Sequence, residues 1–189
     1  MKNPKSSVIW FRRLFRAKIG AGNVELTRLD DVARLVASLH AASWRNTYRD
    51  IFPQAYLDDE VATERLQHWR MRVIELANGS GEIFLASISR KPAGFLCIES
   101  GPGKEWGAFV DNLHVLPHLR GANIGARLLA RGEDWALRHD HRQLYLWVFE
   151  ENHAARRFYR REGWRDAERQ LHVIPGGDSR PVRRMIKRP

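Results

Sequence analysis

The sequence predicts an α/β fold in which helices cover both faces of a sheet. Apolar runs mark strands, and apolar residues at helical spacing mark helices, in the order β-α-α-β-β-β-α-β-α-β-β. Strands and helices alternate in the second half of the chain, which is typical of a layered α/β sheet. A length of 189 residues, with 43% hydrophobic and 29% charged residues, fits one globular domain.

The first half of the chain predicts two helices and three strands. Asp30 or Asp31 can cap the first helix, because a carboxylate accepts hydrogen bonds from free N–H groups at a helix start. Gly79 ends the second helix, and Lys91 with Pro92 fits a hairpin turn. The predicted elements are a strand at residues 24–27, a helix from residue 30 or 31 to Tyr48, a helix at residues 58–78, and strands at residues 82–89 and 93–100.

The second half of the chain predicts strands that alternate with helices. Pro117 ends one strand, and an apolar helical pattern begins at Ile124. A later helix begins at Asn152, which can cap it, and ends before Gly163. The predicted elements are a strand at residues 110–115, a helix that reaches His139, a strand at residues 143–149, a helix at residues 152–162, and closing strands at residues 163–168 and 181–187.

Residues 1–22 differ in composition from the rest of the chain, because they carry only basic charges and no acidic residue precedes Glu25. Two interpretations stay open, a solvated extension of the domain and an arm that binds a membrane surface or nucleic acid. The apolar residues that would share one helical face of this segment are Val8, Phe11, Leu14 and Phe15. We expect a basic N-terminal extension at residues 1–22 and one domain at residues 23–189.

Charge and cysteine content narrow the classes of function. A net charge of +10 favours acidic ligands, among them a phosphorylated cofactor, an acidic protein and nucleic acid. Cys97 is the only cysteine, which excludes a disulfide framework and a zinc cluster, and its apolar surroundings predict a core position. No segment is apolar over the length of a membrane span, so we expect a cytoplasmic protein.

A strand, a glycine-containing turn and a helix start follow one another between residues 110 and 126. This arrangement binds anions, because backbone N–H groups point out of the turn and the helix dipole adds positive charge. Gly121 and Gly125 let a ligand approach the backbone, Arg120 adds a guanidinium at the rim, and Asn123 tolerates a positive φ. Such a site suits a diphosphate. The turn consists of Arg120, Gly121, Ala122, Asn123, Ile124, Gly125 and Ala126.

Two segments together resemble the GCN5-related N-acetyltransferase (GNAT) superfamily, over about residues 24–188. The first segment is Leu113, His114 and Val115, followed by the glycine-containing turn. The second segment carries Asn152, Phe158, Tyr159, Gly163 and Trp164. This chain departs from the family at Asn123, where glycine is usual. The order of the two segments, with a helix and a strand between them, makes the resemblance specific.

The resemblance implies a three-layer α/β/α fold with a mixed, mostly antiparallel sheet of six to seven strands. It implies acetyl-CoA as the acyl donor, no metal, and direct attack of a primary amine on the thioester without an acyl-enzyme. Tyr159 would protonate the departing CoA thiolate as a general acid. The cofactor-binding residues that it implies are Leu113, His114, Val115, Asn152 and the residues of the turn.

The residue that removes the proton from the amine is open between Asp111 and His114. Both lie on the strand predicted at residues 110–115, where alternation puts Asp111 on one face with Leu113 and Val115, and His114 on the other. A carboxylate binds an ammonium group and also relays its proton, which favours Asp111. A packed histidine is the alternative interpretation of His114.

Trp44 and Tyr48 are candidates for binding the amine substrate. With His40 they recur every four residues on the first helix, and they resemble a bacterial subgroup in which Trp and Tyr line the pocket for the amine. Core packing is the alternative. A protein N-terminus or lysine, a small amine and an aminoglycoside stay open as substrates, and so does a homodimer. A non-catalytic module that binds acyl-CoA or nucleic acid is the competing function, against which the retained Asn152 and Tyr159 argue.

Overall fold

The computed structural model describes residues 9–13, 23–101 and 105–189. In these residues a seven-stranded sheet has the strand order β1-β2-β3-β4-β5-β7-β6. The strands are β1 (Ile9–Arg13), β2 (Gly81–Ile88), β3 (Lys91–Ser100), β4 (Ala108–Val115), β5 (Leu144–Phe149), β6 (Arg165–Val173) and β7 (Ser179–Lys187). The helices are α1 (Asn23–Thr47), α2 (Val61–Glu75), α3 (Ile124–Arg138) and α4 (His153–Arg161).

Two apolar cores lie on opposite faces of the sheet and define three layers. On one face α1 and α2 pack through residues such as Val36 and Trp69 against Phe95 of β3. On the other face α3 packs through residues such as Leu128 against Leu96 of β3, and α4 contributes Tyr159. Side chains of one strand point alternately to the two cores, so each strand of the sheet centre is buried on both faces. The predicted α/β/α fold is therefore confirmed.

Pairing between β4 and β5 is short, and this divides the sheet. These strands run parallel but pair only through Ala108 with Leu144 and Phe109 with Tyr145. The other neighbouring strands pair antiparallel over longer registers. Because β4 and β5 separate beyond the two residue pairs, a gap opens between their carboxyl ends, where ligands bind in open α/β sheets.

A bulge in β4 changes which side chains share a face. Cys97 of β3 pairs with Asn112 and the next residue, Ile98, pairs with Val110, so Asp111 has no partner on β3. An extra residue in one strand resets the alternation of its side chains. The prediction that Asp111 shares a face with Leu113 and Val115 is therefore wrong, since those two pack on the α3 side whereas Asp111 pairs with Arg72 of α2.

The beginning of the chain differs from the prediction. Residues 24–27 belong to α1, and the strand that precedes α1 is β1, which pairs antiparallel with β2 at the edge of the sheet. Phe11 lies in that strand rather than in a helix, whereas Val8, Leu14 and Phe15 lie outside the described residues. The boundary between extension and domain at residue 22 stays a prediction. β6 reaches Val173, beyond its predicted end at residue 168. In the described part of the chain, no helix combines the length and apolarity that crossing a membrane requires.

Candidate active site

A cavity of about 380 Å³ occupies the gap between the carboxyl ends of β4 and β5. Every predicted cofactor-binding residue except Ala122 lines it, and so do Tyr48 and Tyr159. Its walls come from α1, β4, the turn before α3, β5 and α4. Residues far apart in the sequence thus meet at one site, because the strands diverge at this edge.

The turn before α3 has the geometry of an anion site. Gly121 has a φ of +82°, and a Cβ there would meet nothing within 4 Å, so conformation alone favours glycine. Asn123 has a φ of 60° at the N-cap of α3, and its side chain makes no capping hydrogen bond. The first N–H groups of α3 are therefore not taken by a side-chain cap and can bind an anion.

Gly125 serves close packing as well as access to the turn. A Cβ built at Gly125 would lie 3.1 Å from Cζ of Phe158 in α4. The lack of a side chain thus lets α4 approach the first turn of α3. The guanidinium of Arg120 donates hydrogen bonds to Asn46 Oδ1 at 3.1 Å and to Thr47 Oγ1 at 2.8 Å, which connects the turn to the end of α1.

Asn152 and Tyr159 form a further wall of the cavity. Asn152 caps α4, since its Oδ1 accepts a hydrogen bond from the N–H of Ala155 at 3.1 Å. Burial raises the pKa of Tyr48 to about 12, and the neighbouring side chain of Asn152 opposes that rise. Burial raises the pKa of Tyr159 as well, and the nearby Tyr48 adds to this effect. Both phenols therefore carry a proton at neutral pH, as a proton donor must.

Trp44 and Tyr48 belong to an aromatic cluster at the end of α1. The ring centroids of Trp44 and Tyr48 are 5.5 Å apart, and Phe52 lies 5.0 Å from each. The guanidinium of Arg65 stacks 4.5 Å from the Trp44 ring. Tyr48 lines the cavity, whereas Trp44 lies behind it. Core packing therefore accounts for Trp44, and Tyr48 has direct access to a ligand.

Asp111 does not reach the cavity. Its carboxylate lies 3.5 Å from Nη2 of Arg72, which also pairs with Glu99 at 3.0 Å. Burial raises the pKa of Asp111, and the charge of Arg72 opposes that rise. The β4 bulge directs this side chain toward α2, so the structure does not bring Asp111 together with Tyr159.

Residues 41–164 match the model of the acetyltransferase (GNAT) family. The chain belongs to this family. A GNAT domain transfers an acetyl group from acetyl-CoA, so the protein is an acetyl-CoA-dependent acetyltransferase. Within the described residues, no group of three His, Cys, Asp or Glu side chains is arranged to hold a metal ion.

Two curated relatives are similar to much of this GNAT chain. An uncharacterized N-acetyltransferase of Bacillus subtilis, YuaI, is 27% identical over 133 residues, which cover 68% of this chain and 72% of the relative. An uncharacterized N-acetyltransferase of Archaeoglobus fulgidus is 28% identical over 130 residues, which cover 63% of this chain and 88% of the relative.

Solved structures share the fold at low identity. The PaiA N-acetyltransferase of Thermoplasma acidophilum, in complex with coenzyme A, matches with a TM-score of 0.70 at 16% identity, over 96% of this chain and 99% of that one. The ribosomal-protein-alanine N-acetyltransferase of Brucella melitensis matches with a TM-score of 0.65 at 17% identity, over 95% of this chain and 99% of that one.

Sequence reasoning missed a partly buried polar cluster on the α1 side of this GNAT cavity. His114 Nδ1 lies 3.0 Å from Ser43 Oγ, and His114 Nε2 lies 3.3 Å from Asn112 Oδ1. The rings of His114 and His40 are 4.3 Å apart, and Trp69 donates a hydrogen bond to His40 Nδ1 at 2.9 Å. The spacing of His40 and Ser43 on the apolar face of α1 was the available signal, and it indicates only burial.

Proposed function

We propose that this protein transfers the acetyl group of acetyl-CoA to a primary amine by direct attack, without an acyl-enzyme. The observation that carries the proposal is one continuous cavity, which joins the uncapped start of α3 to the phenols of Tyr48 and Tyr159. An anion site at one end and a proton donor at the other are what an acyl-CoA and its departing thiolate require.

The diphosphate of acetyl-CoA binds at the turn from Arg120 to Ala126. Backbone N–H groups supply most of its hydrogen bonds, and the positive charge of Arg120 lies at the rim. Because Gly121 leaves open space on its exposed side, the phosphates can approach the backbone closely. The pantetheine arm then extends into the gap between β4 and β5, along Leu113 and Val115.

Tyr159 protonates the sulfur when the C–S bond breaks. Its phenol keeps its proton at neutral pH, because burial disfavours the phenolate. Asn152 holds α4 in place as its N-cap and lies beside Tyr48. Tyr48 bounds the side of the cavity from which the amine approaches, and Trp44 packs behind it. Because Asp111 pairs with Arg72 outside the cavity, it does not favour a small amine over a peptide amine.

Ligand binding and turnover test the proposal in two steps. Saturating acetyl-CoA, at about 100 times its Kd, should stabilise the folded state by about 2.7 kcal/mol and raise the Tm, whereas NADH should not. Turnover is then measured on peptides with free N-termini, lysine peptides, small amines and aminoglycosides. A Tm raised by NADH and not by acetyl-CoA would contradict the proposal. Tight binding of acetyl-CoA without turnover on any amine would favour the non-catalytic module.

A further inference from the structure

Three hydrogen-bonded side chains run from the cavity wall into the interior. Ser43 of α1 and His114 of β4 line the cavity, and Asn112 lies behind His114. Ser43 is 3% exposed, so its hydroxyl is held in place by packing. A hydroxyl bonded to an imidazole, which is bonded in turn to an orienting amide, is the arrangement that activates a proton acceptor.

The hydrogen bonds fix the direction in which a proton can move. Asn112 Oδ1 can only accept, so Nε2 of His114 carries the proton. Nδ1 of His114 therefore has a free lone pair, and the hydroxyl of Ser43 donates to it. The remaining lone pairs of Ser43 Oγ are then available to a ligand in the cavity.

We infer that Ser43 and His114 form the proton relay that deprotonates the amine substrate, with Asn112 as a positioning residue. The inference rests on the proposed function. The amine nitrogen forms a bond to the acetyl carbon, and the C–S bond breaks. The proton of the amine passes to Ser43 Oγ while the Ser43 proton passes to His114 Nδ1. Tyr159 gives its proton to the thiolate. Solvent afterwards takes the proton from His114 and returns one to Tyr159.

Other candidate bases in the described residues are less well placed. Asp111 lies outside the cavity and pairs with Arg72. Glu162 lines the cavity but follows the C-terminal end of α4. This helix has nine residues and is about 14 Å long, which separates Glu162 from Asn152 at the other end of the helix. His40 is 1% exposed, and its Nδ1 already accepts from Trp69. Among these groups only His114 accepts its hydrogen bond from a hydroxyl that itself lines the cavity.

The surroundings of His114 keep its imidazole unprotonated. His40 of α1, Arg65 of α2 and Arg120 of the turn are the titratable or charged groups that face it. Burial, with the charges of Arg120 and Arg65, lowers the pKa of His114 to about 3. The imidazole is therefore neutral at neutral pH, so that no proton occupies its Nδ1.

Replacing the hydroxyl tests the relay directly. Ser43→Ala should lower kcat by about tenfold to a hundredfold, because loss of a general base typically costs about that much or more. The Kd of acetyl-CoA should stay within about twofold, since the turn is untouched. Ser38→Ala is the matched control, because Ser38 lies on the same helix, is exposed and bonds only the carbonyl of Leu35 among described groups. It should behave as wild type.

A series of amines with graded pKa separates a chemical role from a structural one. Weakly basic amines become strong acids once bonded to the acetyl carbon and lose their proton to water unaided. The loss of kcat in Ser43→Ala, relative to wild type, should therefore become smaller as the pKa of the amine falls. His114→Gln should show the same pattern, and the double variant should be no slower than the slower single variant, since the two residues act as one unit.

Four outcomes would overturn the relay. Wild-type kcat in Ser43→Ala is the first, and an equal deficit across all amines is the second, because that marks a structural role. An acetyl adduct on Ser43 after incubation with acetyl-CoA alone is the third, since Ser43 would then be a nucleophile. A wild-type protein that binds acetyl-CoA but acetylates no amine is the fourth, and this result would overturn the proposed function as well. The first two outcomes would overturn only the relay and leave the proposed function intact.

Discussion

The two walls of the cavity are built in different ways. The wall before α3 is an exposed turn whose geometry comes from backbone angles at Gly121 and Asn123. The wall at α1 consists of particular side chains, with the buried Ser43 and the half-buried His114 hydrogen-bonded across two elements. The first wall presents main-chain groups that every residue has, whereas the second depends on particular atoms. A change of backbone conformation should therefore damage the first wall, and the loss of a single atom should damage the second.

The largest effect should come from Gly121→Val. A β-branched residue at a φ of +82° should cost about 1–2 kcal/mol of folding free energy and displace the turn. Since charge-assisted hydrogen bonds contribute about 1.5–3 kcal/mol each, losing two of them should raise the Kd of acetyl-CoA by about 100-fold or more. Calorimetric titration and urea unfolding measure the two effects.

Gly177→Val is the matched control. Gly177 has a φ of +87° and equally open surroundings, but it lies in the hairpin loop between β6 and β7. We expect a similar loss of stability with an unchanged Kd for acetyl-CoA. Equal Kd values for the two variants would mean that the diphosphate binds elsewhere.

Tyr159→Phe should have the next largest effect. It keeps the ring that packs against Trp164 and removes only the hydroxyl. General acids typically contribute about 10²- to 10⁴-fold, and since a thiolate leaves readily we expect a fall in kcat of about tenfold to a few hundredfold. The Kd of acetyl-CoA should barely change. Tyr145→Phe, whose ring stacks on Phe109 away from the cavity, serves as the control. An unchanged kcat in Tyr159→Phe would exclude the general-acid role.

A smaller effect should appear in the pH dependence of stability. Burial lowers the pKa of both His114 and His40 in the folded state, to about 3 for His114. The unfolded chain takes up protons on its histidines near pH 6.5, whereas the folded chain does so only at lower pH. The stability of the folded state relative to the unfolded state is therefore highest above about pH 6.5 and falls as the pH falls toward the folded pKa. Urea midpoints at about pH 7.5 and about pH 5.5 should differ less in His114→Gln than in wild type. The exposed His118→Gln should keep the wild-type difference, and an unchanged difference in His114→Gln would contradict the pKa shift.

The smallest effect should come from Asn123→Gly. Glycine adopts a φ of 60° without steric cost, but it also gains freedom in the unfolded chain. The lower steric cost in the folded state and the greater freedom of the unfolded chain nearly cancel. The free energy of unfolding should therefore change by less than about 1 kcal/mol. The Kd of acetyl-CoA should stay equal or fall by a few-fold. A marked loss of binding would show that the Asn123 side chain contacts the ligand.

Local patterns predicted the fold and the first wall of the cavity. Strand, turn and helix follow one another without interruption around Gly121, so that all the necessary information lies within a few residues. The error at residues 24–27 has a local cause too, because a few alternating apolar residues fit a strand as well as the start of a long helix. Residues 24–27 are helical because the turns that follow them in α1 are helical and α1 packs against α2.

The second wall could not be predicted, because it depends on contacts between distant residues. Ser43 and His114 are 71 residues apart, and neither sits in a motif that would mark a hydrogen bond. The face to which Asp111 points depends on the bulge opposite Cys97. No residue type in β4 indicates that a bulge forms there. Periodicity put Asp111 on one face with Leu113 and Val115 because it assumes an uninterrupted strand.

The short pairing of β4 with β5 leaves two edge strands in the middle of the sheet. Beyond Phe109 and Tyr145, N–H and C=O groups on the facing edges lack strand partners from one another. Edges of this kind accept further extended chains, which is how many sheets bind peptides and how unprotected sheets aggregate. The pantetheine arm is extended and contains two amides, so it can complete the ladder as an added strand would. We therefore expect the unliganded enzyme to exchange amide hydrogens fastest along this seam and to be the form most prone to self-association, with acetyl-CoA suppressing both.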